Sequence, residues 1–573
     1  MSLLTPQNGA ALVAGVAGTK FLYDNLGTYL RNYFTRRDTI VYDLPNLGKP
    51  REKGQRIKGT AVVCGGSMAG LWAARVLSDH YEDVLIIEPE AWLATEEGQS
   101  NIYDENGIEI EGRRNHSRTR VFQYNTTHAM HWFAYMVLKT LHPNLDEEVK
   151  AFDGRVGPHQ FNVHCVNEKI LQSPRLADGN HPQSYFLSRE SLERMTRRLF
   201  LESRPEIRWM TGVVKGIETA KGDLNTVTAV NVRLPDNTEI TIPATLVADC
   251  SGSTQAGLKW LKRLQSPSDV TANGKLSLDE IRVSYNTQQN TRTFRFFVPP
   301  EARSRLPIPG GYDKTGWPYA FMPLFGRGQR SLLCDRLEGH RIRLMAGTWG
   351  DQPLPDWTEL KDFYRNISPD GTETLPEWFF EMLDILLEYR DQAEYSDTRY
   401  PSLSWVRYEK AAFLPSNFIA LGDSVMQPNP TFGQGIAKAI VCAVTLDGAL
   451  RSSWLKDATS IPAGFSRKYM AEQAQRTRSA WDLTKALDYL FPSTIPIKGE
   501  KRSDEFLNAK IADILLLLGK KDEQVMSLVF HTFAFTGSPA VLMQPVVLFK
   551  VLSFWVKQRL GLAFDFPPLE ESK

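Results

Sequence analysis

Apolar residues along this chain follow two rhythms: short unbroken runs as far as Ala420, and helical spacing beyond Gly433. The first run, Thr60-Ala61-Val62-Val63, leads through glycines to a helically spaced stretch, Ala69 to Asp79, and then to a second run, Val84-Leu85-Ile86-Ile87. Unbroken apolar runs of this length suit strands buried on both faces, so the order strand, helix, strand predicts a βαβ opening and a parallel sheet. From Ile207 to Asp249 the pattern predicts a β-meander of Arg208 to Val214, Thr226 to Leu234 and Glu239 to Val247, broken at Gly222-Asp223 and Pro235-Asp236-Asn237. Runs at Ile281 to Tyr285, Thr293 to Val298, Arg330 to Cys334 and Arg341 to Ala346 predict a second, mixed sheet, covered by helical sequence from Trp357 to Tyr389. Beyond Gly433 the chain reads as helices broken at Pro462, Pro492 to Pro496 and Gly537 to Pro539.

Composition removes several function classes. The 67 Lys and Arg nearly cancel the 66 Asp and Glu, so there is no electrostatic footprint for nucleic acid. Cys64, Cys165, Cys250, Cys334 and Cys442 lie far apart with no Cys-x-x-Cys pair, which fits neither a zinc site nor a secreted disulfide framework. Met1 to Thr19 lacks the basic start and apolar run of a secretory signal, and a cytoplasmic protein is expected. The nearest approach to a membrane span, Val541 to Val556, is interrupted by Gln544, Pro545 and Lys550. It reads as a buried C-terminal helix pair, with peripheral membrane contact as the alternative.

The chemistry sits on glycine turns. After the first strand comes Gly65-Gly66-Ser67-Met68-Ala69-Gly70, with Glu88 closing the second strand. Gly65 allows a tight turn, Gly70 permits close packing of helix on strand, and the helix N-terminus faces a diphosphate, while Glu88 can accept from a ribose hydroxyl. Ser67 stands where a middle glycine is usual, so an approaching phosphate meets one Cβ and a hydroxyl.

A second constellation runs Leu421-Gly422-Asp423-Ser424, then Pro428-Asn429-Pro430-Thr431-Phe432-Gly433-Gln434-Gly435-Ile436 into a small-residue helix. It resembles the Gly-Asp box of the FAD-dependent aromatic hydroxylase superfamily, the class A flavoprotein monooxygenases and their relatives. The resemblance implies that Asp423 holds the flavin ribitol, and that Pro430, Gly433, Gln434, Gly435 and Ile436 shape a loop and helix start against the pyrimidine end of the ring. A third segment, Asp249-Cys250-Ser251-Gly252, resembles the family's strand-to-turn return to the FAD domain, altered from the usual Asp-Gly box. By the same resemblance Arg189, at an Arg-x-x-Leu helix start, and Arg118, Arg120 and Gln123 are candidate cofactor contacts.

The fold class implied is α/β: a Rossmann-like FAD-binding domain with an inserted β-meander, a mixed-sheet substrate domain and a helical C-terminal region. Its expected division is an N-terminal extension over 1–58, FAD-binding parts over 59–262 and 410–455, a substrate domain over 263–409 and a C-terminal helical region over 456–573. The resemblance implies FAD, NADPH or NADH as reductant, and transfer of one oxygen atom of O2 to a hydrophobic small molecule through a flavin C4a-hydroperoxide. An FAD-dependent dehydrogenase, oxidase or reductase without oxygen transfer is the alternative. Halogenation is not expected, because the Trp-x-Trp-x-Ile-Pro pattern of flavin halogenases is absent and Ser404-Trp405-Val406 does not replace it. No acid or base is assigned; His128 and His131, about a turn apart on an expected helix, are the candidates. The aromatic segments Trp317 to Phe325 and Trp378 to Phe380 suggest an apolar substrate cavity.

Overall fold

The run Thr60 to Val63 forms the centre of the strand Ile57–Cys64, in which Ala61, Val62 and Val63 are wholly buried. The computed structural model describes residues 25–563 apart from 114–117, 119–120, 122–123, 160–161, 166–167, 171, 177, 265–274, 324–327, 369–373, 453–454 and 456–458. Ile57–Cys64 lies third in a five-stranded sheet whose order is Phe418–Ala420, Leu246–Asp249, Ile57–Cys64, Tyr81–Glu88, Ile207–Thr211. All four pairings are parallel. The expected βαβ opening is present, with the helix Met68–Leu77 crossing between the first two strands.

The meander is displaced from its expected bounds. It comprises Val213–Ala220, Asp223–Arg233 and Glu239–Pro243, paired antiparallel. The expected first strand is divided at Gly212, whose N–H bonds to the Glu88 carbonyl, and its first half, Ile207–Thr211, extends the parallel sheet. The expected third strand breaks after Pro243, and Leu246–Asp249 joins the same parallel sheet.

A seven-stranded mixed sheet contains three of the four runs assigned to the second sheet, together with Val163–Cys165, which pairs parallel to Tyr319–Phe321. The fourth run differs. Arg282–Tyr285 pairs with Leu403–Val406, which in turn pairs with Met426–Gln427 beside the Gly-Asp box. Its strand ends before Gln288, where φ is +51°. The predicted helical cover consists of Leu360–Arg365 and Glu377–Leu387. Phe379 and Phe380 lie on the second of these helices and pack into the core beneath it. The C-terminal region is built from Phe465–Asp488, Phe506–Gly519, Glu523–Phe533 and Pro545–Arg559. Among the described residues, no helix is long and apolar enough to cross a membrane. All five cysteines are buried.

Candidate functional site

In chain order the parallel sheet reads 3-2-1-4-5, and its direction of growth reverses between Ile57–Cys64 and Leu246–Asp249. Open parallel sheets form a ligand crevice at such a switch point, beyond the carboxyl ends of the strands. A crevice lies there. The first motif lines it with Gly65, Ser67, Met68, Ala69 and Glu88, the third with Cys250 to Thr254, and the second with Gly422, Asp423, Pro430, Gly433, Gly435 and Ile436. Arg118 and Arg189 line it as well, whereas Arg120 and Gln123 lie outside the described residues.

The motifs hold one another through close backbone approach. A Cβ on Gly70 would stand 1.8 Å from the Gly65 carbonyl oxygen, and one on Gly65 would stand 2.5 Å from the Cys250 carbonyl oxygen. A Cβ on Gly66 would stand 2.4 Å from the Trp209 ring, so Gly66 and Gly70 pack against protein beneath the crevice. Asp249 is likewise wholly buried: its carboxylate accepts from the N–H groups of Ser251 (2.9 Å) and Gly257 (2.8 Å) and from the Ser424 hydroxyl (3.2 Å). It shapes the turn that presents Gly252. At Gly252 and Gly435 an added Cβ would meet no protein atom within 4 Å. The crevice thus has open space at two of its glycines, as a cradle for a flat, extended cofactor requires. Two helices, Met68–Leu77 and Gln434–Arg451, begin on it, and neither N-cap residue makes a side-chain capping bond. Their positive ends favour a diphosphate and an electron-rich ring edge.

One carboxylate organises the arginines. Glu193, fully buried, accepts from Arg118, from Arg189 (3.0 Å), from Arg197 (2.8 Å) and from the Ser67 hydroxyl (3.0 Å). Burial acts to raise its pKa, but the three guanidinium groups outweigh burial and hold it at about 2. Arg189 also donates to Ser67 Oγ at 3.0 Å, so the serine in place of the middle glycine is tied into this network. Glu88 accepts from the Gly66 N–H at 2.7 Å and lies 3.5 Å from Arg118. Glu193 was missed in the sequence, although the spacing Arg189, Glu193, Arg197 places all three on one helix face.

Lys438 was missed too. Its side chain is wholly buried, and Nζ donates to Asp423 Oδ1 at 2.7 Å and to the Met426 carbonyl. Asp423 keeps 28% side-chain exposure toward the crevice. Behind the Pro430 loop, Asn429 accepts from the Thr431 N–H (2.9 Å) and donates to Asp488 Oδ1 (2.7 Å), whose other oxygen accepts from the Tyr285 hydroxyl (2.8 Å). Burial pushes the Asp488 carboxyl up to about 7 against the lowering effect of these two bonds.

An apolar cavity of about 490 Å³ opens on the other side of this loop. Pro430 and Gly433 face the crevice, Thr431 and Phe432 face the cavity, and Ala129 borders both. Trp317, Ala320 and Met322 line the cavity, as expected of the first aromatic segment. Gln434 turns to this side and donates to the Phe533 carbonyl at 2.9 Å. The two histidines are not on one helix: His131 is the extended N-cap of Trp132–Leu141, and His128 lies in the irregular segment before it. That segment is drawn off helical geometry by its own contacts, including a bond between His128 Nδ1 and the Thr126 carbonyl (2.9 Å). His128 lines the crevice and His131 the cavity. Burial, with Arg189 and Arg343 nearby, lowers His128 to about 3; burial lowers His131 to about 4. Both rings are neutral at pH 7.

Comparison with solved structures agrees with this geometry. The flavin-dependent brominase Bmp2 superposes with a TM-score of 0.52 at 12% identity, covering 88% of this chain and 100% of its own. The chain shares the fold of that flavin-dependent enzyme. The Diels-Alderase PyrE3 (TM-score 0.48, 13% identity, 83% and 80% covered) and p-nitrophenol 4-monooxygenase PnpA from Pseudomonas putida DLL-E4 (TM-score 0.47, 15% identity, 85% and 100% covered) are more distant. No known family model and no curated protein matches the sequence.

Proposed function

We propose that the protein is an FAD-dependent monooxygenase that inserts one oxygen atom of O2 into a hydrophobic small molecule, with NADPH or NADH as reductant. The observation that carries this reading is the placement of an apolar cavity against the nucleotide crevice, with Ala129 bordering both and the 428–435 loop contributing residues to each. FAD, when bound, supplies the redox chemistry and the activation of O2. Asp423 would accept from a ribitol hydroxyl with the oxygen that Lys438 does not occupy. Ser67 and the N-terminus of Met68–Leu77 would receive the diphosphate, with Arg189 beside Ser67. The start of Gln434–Arg451 would favour negative charge at the ring edge. The apolar lining of the cavity would disfavour water at the reacting face. His131, donating to the Phe432 carbonyl at 3.2 Å, braces the loop as a neutral ring and is not an acid at pH 7.

The test begins with flavin. Purified protein should hold FAD, bleach with NADPH or NADH, recover its colour with O2 and, given labelled O2 and a hydrophobic acceptor, release labelled product. Failure to take up FAD refutes the reading at its base. Turnover giving product without label would instead assign a dehydrogenase, oxidase or reductase on the same fold.

A further inference from the structure

The apolar cavity reaches the surface beside Arg37, Arg478 and Asp482, lining residues whose side chains are 42%, 64% and 52% exposed. Two elements carrying unusual apolar exposure meet at it. A helix over 25–38 exposes Leu26, Tyr29, Leu30 and Tyr33 at helical spacing. The segment 539–563, with the helix Pro545–Arg559, exposes Met543, Val546, Phe549, Leu552, Leu560 and Leu562. They are joined: the Ser538 hydroxyl donates to Asp38, and Asp38, Pro539, Ala540 and Leu542 all line the cavity. Solvated helices do not present stripes of this kind, and contiguous apolar exposure marks an interaction surface.

Charge selects the partner. The chain as a whole is balanced, at 67 basic against 66 acidic residues, yet 539–563 contains no Asp or Glu and the helix over 25–38 holds one, Asp38, which is buried. Basic residues are present in both, with Arg31, Arg36, Lys557 and Arg559 exposed. Arg37 and Lys550 are tied to Asp38 and Asp522. A second copy of the chain fits poorly, since a two-fold interface would bring the exposed Arg31, Arg36, Lys557 and Arg559 of both copies together with no exposed acid on either element to meet them. Aromatic and aliphatic side chains with basic flanks and no exposed acid match the boundary of an anionic bilayer, where apolar groups enter the acyl region and cations meet headgroups. We infer that these two elements seat the protein on an anionic lipid surface, with the cavity entrance beside the point of contact. This goes beyond the proposed chemistry and does not depend on it.

Flotation of the full-length protein with phosphatidylcholine vesicles, and with vesicles that also contain phosphatidylserine, tests the inference. The mixed vesicles should bind about tenfold more tightly than the neutral ones. The double variant Phe549→Glu/Leu552→Glu should lose that binding, and Arg31→Glu/Lys557→Glu should reduce mixed-vesicle binding to the neutral level. All four positions are exposed, and melting curves should match wild type; if the first pair melts early, Leu560→Glu/Leu562→Glu replaces it. Absence of flotation with both vesicle types overturns the inference, as does binding unaffected by the apolar substitutions. A stable dimer that those substitutions dissolve, without vesicle binding, would assign the surface to a second copy instead.

Discussion

Replacing Asp423 with alanine should do two separable things, because its carboxylate serves the crevice on one side and Lys438 on the other. Toward the crevice, the loss is that of a charge-assisted hydrogen bond to a cofactor hydroxyl, about 1.5–3 kcal/mol, or about ten- to a hundredfold in FAD Kd. Toward the interior, the Lys438 ammonium is wholly buried and would keep only the Met426 carbonyl. Breaking a buried pair by removing one partner costs about 3–5 kcal/mol; with Asp423 28% exposed, screening reduces the expected loss to about 2–3 kcal/mol. Lys438→Met removes the charge at similar length, so the double variant Asp423→Ala/Lys438→Met should recover most of the apoprotein's stability but none of its FAD affinity. Urea midpoints of the four apoproteins and flavin fluorescence titrations complete the cycle. An Asp423→Ala apoprotein as stable as wild type would refute the buried-pair argument. A double variant that binds FAD as tightly as wild type would refute the cofactor role and leave Asp423 as the counter-ion of Lys438.

Gly435→Ala should leave the apoprotein's melting temperature unchanged or slightly higher, because its Cβ meets no protein atom within 4 Å, yet weaken FAD about tenfold or more by entering the cradle; unchanged FAD affinity in a titration would place the cofactor elsewhere. Gly70→Ala, with its Cβ 1.8 Å from a carbonyl oxygen, should instead fail to fold, as soluble yield and circular dichroism would show. Asp488 holds its proton more tightly folded than unfolded, being pushed up to about 7, so its contribution to stability should fall as pH rises from about 4 to 7, by at most about 1.4 kcal/mol per unit, and level off above. Asp488→Asn should flatten that part of the curve, and parallel urea midpoints for both proteins across this range would refute the assignment.

The turns that line the crevice were legible because their contacts are made by backbone. Gly65, Gly422 and Gly433 sit at turns whose shape is local, so a few consecutive residues report it, and each of those segments does line the crevice. What was not legible depends on residues distant in sequence. Glu193 gains its role from Arg118, 75 positions away, and from Ser67, 126 positions away. Lys438 shows as a charge inside a small-residue helix, and only the return of the Gly-Asp loop over that helix makes it the partner of Asp423. The meander bounds failed for a related reason: Ile207–Thr211 and Leu246–Asp249 have the same apolar character as the meander strands, and their assignment to the parallel sheet rests on pairing with Tyr81–Glu88 and Ile57–Cys64.

The cavity gave the weakest signal because its walls come from widely separated pieces: Ala129, Val163, Trp317, Leu333, Leu487 and Leu542 each read as ordinary core residues in their own segments. An apolar wall and an apolar core obey the same local pattern, and only the tertiary arrangement leaves one of them hollow. The exposed stripes on 25–38 and Pro545–Arg559 show the converse. Spacing predicts an apolar helix face, and burial against the rest of the fold is the default completion of such a face. Here the completion is missing on two adjacent elements that expose no acidic residue, so the reading as a buried C-terminal helix pair does not account for Phe549 at 71% exposure or Leu562 at 74%.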